Sequence, residues 1–540
     1  MHLFVLIPLY LIVSCRKAAE RKNLILSGLF SLFLTVAFSM REYKVFLDQP
    51  LSVYPELLAF WFGMFILLQM ILEKTDEFVN RLKKPGDDAP VSRKEYMKLL
   101  LICWLPYYIL MFPGGIWYDV GGEVEQFFGA TGFNNINPFL QTLMIGSFIA
   151  FGRLFGSVSI GVGLYIAVQA VFSAFVLSNL MVTITELLHT DRGIAKKCLL
   201  LYALVPVYPL FVMAVGKDLN WSMAILLCLT NIICIFSSPD EFFRKPVNMV
   251  LFPVSLMLVS LLRNSGLPVA ILLAVLSLQG LGLMKGKKTA LLSGIGAFAA
   301  GILLWNMVLL PGLHVSTVGN AKENFSVPFL QMGRAYKYYP DDFSSEDDEI
   351  VGRVVDIDAM RNNYKPNDSD SIKETFKTSA TEADISEFTE IYRREMKKRP
   401  LCYLDAMAAI SYAYYDPDSV GSSKPFAVAG NYAESRFDKI GIEVRYLTDR
   451  MPYYVAGIIS RSRSVPILGA ITKCGVWIWA YLYCFASILK KLPRRYLSLF
   501  LPGIIIMIGL MFTPINGYFR YTYPIIAMVP ACILVCMSRS

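Results

Sequence analysis

Long apolar runs broken by short basic clusters constrain this chain more than any other feature of its sequence. Such runs lie over 23–40, 55–72, 99–112, 138–156, 157–188, 203–214, 249–262 and 267–283. An apolar stretch of roughly 20 residues spans a bilayer core as a helix, and Lys and Arg collect on the cytoplasmic side. The expected fold is therefore an all-α polytopic membrane protein, with about 13 transmembrane helices by hydropathy. Composition agrees: 55% of the 540 residues are hydrophobic and only 17% are charged, against about a quarter in an average soluble domain. The net charge of +9 sits mostly in the short clusters, where positive-inside bias and anionic headgroups account for it. No nucleic-acid partner follows from it, while membrane lipid does.

The basic clusters also set an orientation. Lys74 to Lys98, DRGIAKK (191–197), DEFFRKP (240–246), LMKGKK (283–288) and KKLPRR (490–495) read as cytoplasmic. That places the loop at 113–137, Lys217-Asp218, Arg263, a polar block at 311–452 and Arg520 together on the outer side. Arg520 reads as part of a short GYFRYTYP link between the last two spans. One strain remains, because 138–156 and 157–188 look like two crossings where the side assignments need an odd number. Either the first is re-entrant or interfacial, or the second is broken. Met1 to Ser14 reads as a further short helix with an external N-terminus.

Four segments follow from this pass: added N-terminal helices and a cytoplasmic loop (1–97), a transmembrane core (98–310), an extracytoplasmic and mainly helical domain (311–452), and C-terminal membrane helices (453–540). The polar block is rich in Asp, Ser, Asn and Pro turns (338–349 and 364–371), with helical stretches at 386–398 and 401–414. It is long enough for a small core of its own.

The chemistry has few residue types to draw on. Of ten cysteines, nine lie in or beside apolar runs, so no disulfide framework and no CxxC metal pair is expected. The three histidines, His2, His189 and His314, are far apart, which argues against a His-ligated metal and a Ser-His-Asp triad. Acid–base chemistry must then rest on carboxylates. Asp119 lies between Trp117-Tyr118 and a Gly pair in the first external loop, placed to grip a sugar or take a hydroxyl proton; the plain alternative is a solvated loop acid. Glu123 and Glu125 read as the solvated face of a short amphipathic helix. Lys217 and Asp218 begin an apolar run and belong either to a cavity or to the membrane boundary. Arg263, in a four-residue hairpin, and Arg520, among tyrosines, suit a lipid phosphate as pairs of N–H donors, or simply snorkel. Glu323, Gln331 and Arg334 are polar groups expected near the membrane surface, or else helix caps.

Taken together, FPGGIWYDVGGEVEQ, NNINPFLQTLMIG, VPVYPLFVMAVGKDLNWS, LLRNSGLPV, ENFSVPFLQMGRAY and GYFRYTYPI resemble the integral-membrane glycosyltransferases of the GT-C superfamily. The resemblance covers most of the chain after Lys98 and is closer still to a branch of uncharacterised bacterial polytopic proteins. It implies a plasma-membrane enzyme that moves a sugar from a polyprenyl-phosphate donor to a cell-envelope glycan, lipid or protein, with an extracytoplasmic active site. Asp119 would match the acid of the first external loop that activates the acceptor hydroxyl. Lys217 and Asp218 would match the second external-loop pair, with Asp218 counted beside Asp119 among the catalytic groups. Arg263 and Arg520 would match the phosphate contacts, and Tyr118, Glu323 and Gln331 are further candidates for binding substrate. Relatives often carry His-His-Pro where this chain has Asn135-Ile136-Asn137-Pro138. No cofactor is implied; some relatives need a divalent metal, though none is indicated here. The rivals are a polysaccharide polymerase or ligase acting on lipid pyrophosphate, and a transporter or flippase for lipid-linked glycans.

Overall fold

A computed structural model describes residues 21–82, 92–316, 320–421, 434–447, 451–489 and 492–537. The expected helix within 1–14 lies outside them. Helices dominate, among them, in chain order, α1 (Arg21–Glu42), α2 (Tyr54–Leu82), α3 (Arg93–Met111), α4 (Tyr118–Phe127), α5 (Phe139–Leu154), α6 (Val158–Leu187), α7 (Arg192–Leu204), α8 (Lys217–Ser237), α9 (Pro246–Leu261), α10 (Gly266–Ser277), α11 (Lys288–Leu304), α12 (Ser326–Tyr338), α13 (Glu382–Lys398), α14 (Pro400–Tyr415), α15 (Glu434–Asp438), α16 (Cys474–Ile488), α17 (Leu501–Leu510) and α18 (Phe519–Cys536), with further helices and turns between them. The one sheet among the described residues has two strands, β1 (Gly115–Ile116) and β2 (Ala214–Val215).

Seven helices among the described residues are long and apolar enough to cross a membrane, and α5, α9 and α16 are shorter apolar helices. The chain is thus an all-helical membrane protein. The run at 203–214, expected as a span, is not one helix. Proline has no N–H to give and disfavours a helical residue before it, so α7 ends at Leu204, and Pro206 then precedes a six-residue helix (Val207–Val212, containing Pro209) that leads into β2. Of the two runs whose crossings did not add up, α6 is an unbroken helix of 30 residues. Its neighbour α5 has 16, about 24 Å of helix against a hydrocarbon core of about 30 Å.

The helices differ in what they show to their surroundings. The most apolar stretch of α8 is 94% buried, whereas those of α2 and of the helix running from Lys288 to Gly312 are only 28% and 22% buried. Exposed apolar side chains such as Leu58, Met307 and Leu303 therefore form the face that lipid covers, and α8 is the central post against which α6, α9 and α18 pack.

The polar block has its own apolar core, built from Phe329, Leu330, Val351, Met360, Phe388 and Ile410 among others. Helix α14 joins the two cores: Tyr403 and Ile410 belong to the polar block, Tyr414 and Tyr415 to the membrane bundle. The added N-terminal helices are tied to the same block. The backbone N–H groups of Phe46, Leu47 and Asp48, in the loop after α1, all donate to the buried carboxylate of Asp405 on α14, at 3.1, 2.9 and 3.1 Å. Arg41 adds ion pairs to Asp416 and Asp418.

Candidate active site

The site is positioned by the two-stranded pairing. Strands β1 and β2 run parallel, Gly115 opposite Ala214 and Ile116 opposite Val215. Two glycines allow the approach. Gly114 has φ +127°, and a Cβ there would meet Ile166 and the Met213 carbonyl; a Cβ on Gly216 would run into the Trp117 indole. Each strand feeds directly into a helix, β1 into α4 and β2 into α8. Asp119 is thus the second residue of α4 and Asp218 the second residue of α8. Helix N-termini favour negative charge there, and in-register strands bring the two acids side by side.

Arg520 closes the arrangement as the second residue of α18. It does not lie in an exposed link, as expected, but is 7% exposed. Its Nη2 lies 2.9 Å from Asp119 Oδ2 and its Nε 3.7 Å from Asp218 Oδ2. Lys217 Nζ stands 3.3 Å from Asp119 Oδ2 and also donates to Asn137 Oδ1. Arg263 pairs with Asp218 Oδ1. Aromatic faces hold both guanidinium groups: Arg263 lies 4.8 Å from the Trp221 ring centre and 5.0 Å from that of Tyr521, and Arg520 lies 5.3, 4.7 and 5.3 Å from Trp117, Tyr518 and Tyr521. Tyr521 therefore serves both arginines. Five of the expected residues, Asp119, Lys217, Asp218, Arg263 and Arg520, form one charge cluster.

Within it the two acids differ. The Asp119 side chain is 26% exposed and that of Asp218 only 4%, so Asp119 is the one a substrate can reach. Burial pushes the Asp119 carboxyl up, but the Arg520 guanidinium and the Lys217 ammonium outweigh it and hold the group well below the usual carboxylate range. Two buried polar atoms, Asp218 Oδ2 and Arg520 Nε, have no hydrogen-bond partner, which leaves donor and acceptor capacity for a ligand.

Glu123 and Glu125 are not a solvated face: they are 1% and 7% exposed. Helix α4 is covered on more sides than a surface helix, by α5 and by α15. Glu125 is taken by Arg436 of α15 at 2.9 Å. Arg436 also stands 5.4 Å from the ring centre of Tyr118, which is itself 60% exposed beside the cluster. Among the described residues Glu123 has no such ion pair, and its Oε2 has no hydrogen-bond partner. The asparagine turn does more than turn: besides Asn137 on Lys217, Asn264 beside Arg263 donates to the carbonyls of Asn135 and Ile136. Asn137 and Arg436 are the participants that the sequence reading passed over. Asn137 carried a signal, an amide just before Pro138 in an asparagine-rich turn; Arg436 lies in an unremarkable polar stretch.

Glu323 and Gln331 stand elsewhere. They line a cavity of about 790 Å³ in the polar block, with Tyr392, Lys397, Leu404 and Phe512. Glu323 accepts from Lys373, and Gln331 is satisfied by the Tyr403 carbonyl and the Tyr392 hydroxyl. Arg334 donates to the Lys44 carbonyl and lies 3.8 Å from Asp405, holding the N-terminal loop rather than a helix end. The polar block meets the cluster region through its two margins, where Ser316 bonds with Phe133 and Asn135, and through Arg436. Among the described residues, no group of three or more His, Cys, Asp or Glu side chains is arranged to hold a metal ion.

No curated protein and no solved structure matches the chain. A family model does, over residues 129–540, which takes in Lys217, Asp218, Arg263 and Arg520 and begins after Asp119. Matched over more than half its length, the chain belongs to DUF6020, a family of unknown function.

Proposed function

We propose that this protein is a GT-C-type glycosyltransferase of the plasma membrane. It moves a sugar from a polyprenyl-phosphate donor to a cell-envelope acceptor on the outer face. The observation that supports this reading is the charge count of the cluster. Three cations, Lys217, Arg263 and Arg520, face two carboxylates, Asp119 and Asp218, at a place where three helices begin. One unbalanced positive charge at helix N-termini suits a phosphodiester, and an accessible carboxylate beside it suits a hydroxyl nucleophile.

The steps follow from the pairing. At rest Asp119 is held ionised by Lys217 and Arg520 and is a weak base. A donor phosphate competes for those cations, and as they turn toward it the proton affinity of Asp119 rises. The acceptor hydroxyl gives its proton to Asp119 as its oxygen bonds to the anomeric carbon. The bond from that carbon to the phosphate oxygen breaks, and its electron pair leaves on the phosphate, where Arg263, Arg520 and Lys217 stabilise the charge. Attack from the face opposite the phosphate inverts the anomeric configuration.

The test is sugar transfer in membranes carrying wild type, Asp119→Asn or Arg263→Ala at matched expression, with radiolabelled polyprenyl-phosphate sugars as donors. Transfer by wild type that is lost in Asp119→Asn supports the assignment. Full activity in Asp119→Asn with a dead Arg263→Ala puts the base elsewhere and favours the lipid-pyrophosphate polymerase. No transfer from any donor removes the support for an enzyme and points to transport.

A further inference from the structure

Every cation in the cluster already has a carboxylate: Lys217 has Asp119, Arg263 has Asp218, and Arg520 lies between the two. Glu123 stands four residues after Asp119 on α4, so both side chains leave the same face of the helix. It is 1% exposed and its Oε2 has no hydrogen-bond partner. The ionisable groups facing it are Lys217 and Asp218 from α8, Arg520 from α18, the Tyr165 hydroxyl from α6 and Asp119 from its own helix. Arg436 from α15 is committed to Glu125. Tyr165 is engaged by Asn220 and Gln141.

A buried ionised carboxylate with no cation of its own is costly, and such a group keeps its proton instead. Building on the lipid-phosphate reading, we infer that Glu123 is a specificity-determining residue, kept neutral so that the cluster retains one positive charge in excess and accepts a singly charged phosphodiester. With Glu123 neutral the count is three cations against two carboxylates; with Glu123 ionised it is three against three, and the net attraction for an anion is gone. Burial lifts the Glu123 carboxyl to about 8, with Lys217 pulling it down and Asp119 adding to the rise. A phosphodiester has no second proton to lose near neutrality, so any loss of affinity in that range comes from the protein.

The experiment is the affinity of a short-chain prenyl phosphodiester of a hexose for the full detergent-solubilised chain, followed from about pH 6 to about 9.5, across the Glu123 transition. Wild type is expected to bind with steady affinity up to the transition and to lose about tenfold per pH unit beyond it, as one proton must be taken up on binding. In Glu123→Gln the alkaline fall disappears, leaving affinity level within about twofold over the same range. Should the amide variant fail to fold, Glu123→Met supplies the same neutral side chain. An identical alkaline fall in the neutral variants overturns the role of Glu123 and leaves the lipid-phosphate reading intact. A folded wild type that binds the phosphodiester at no pH overturns that reading, and this inference with it.

Discussion

Asp405 and the Asp119–Asp218 pair are acids held against charged partners in opposite ways. Asp405 is held by the backbone: three consecutive N–H groups donate to it from a loop nearly 360 residues away in the sequence, and Arg334 stands 3.8 Å off. Burial pushes its carboxyl up and those N–H groups draw it back. Asp119 and Asp218 are held by side-chain cations that can change partner, with Asp218 Oδ2 and Arg520 Nε 3.7 Å apart and without a hydrogen bond. Fixed dipoles around an acid secure a fold. Movable charges with spare hydrogen-bonding capacity mark a place where something else binds.

The largest effect that would sharpen this contrast is on turnover. Asp119→Asn is expected to lower sugar transfer by about 10²–10⁴-fold per folded molecule, the usual scale for removing a general base, a loss far larger than any fall in the folded fraction. Asp405→Ala should do the reverse. Stranding three backbone donors costs about 3 kcal/mol or more, seen as a lower melting temperature and as protease access to the loop between α1 and α2, with transfer per folded molecule retained. If Asp405→Ala abolished transfer in protein that still melts normally, the division between the two regions would be wrong.

These two regions were unequally legible in the sequence. Lys217-Asp218, Arg263 and Arg520 stood out because a charge embedded in apolar sequence has few reasons to exist, and their common side followed from the basic clusters. The partner of each did not, since β1 and β2 are two residues long and leave no alternating pattern to read. Glu123 and Glu125 were misread because two acids in a ten-residue helix look amphipathic unless one knows that α15 returns from more than 300 residues later to cover them. Glu323 and Gln331 carried the right chemistry but belong to another cavity. The role of the N-terminal helices was not legible, because much of their anchor is backbone N–H on Asp405, which every sequence has.

Smaller effects refine the contrast. Glu123 also sets a pH dependence of stability. The folded chain keeps a proton that the unfolded chain loses above its ordinary value of 4.5, so stability falls as pH rises from there and levels off past about 8. Glu123→Gln should remove that slope in thermal melts taken across the range. Arg520→Lys keeps the charge but loses the planar fork that reaches both acids, and about a tenfold loss of transfer is expected. Arg436→Ala breaks a partly exposed pair with Glu125, where a change of about 1 kcal/mol or less should appear in melts.

The in-register strands also bear on how the protein is made. With Ile116 opposite Val215, the backbones that lead to the two acids run about one strand spacing apart, roughly 4.8 Å, before any side chain has chosen a rotamer. The residue that reconciles those like charges, Arg520, is synthesised some 300 positions after Asp218. Until α18 arrives, Lys217 holds Asp119 and Arg263 holds Asp218, so the nascent bundle is balanced at two charges against two. Insertion of the last helix therefore adds the excess positive charge, and the bundle gains its attraction for an anion only when its final span is in place.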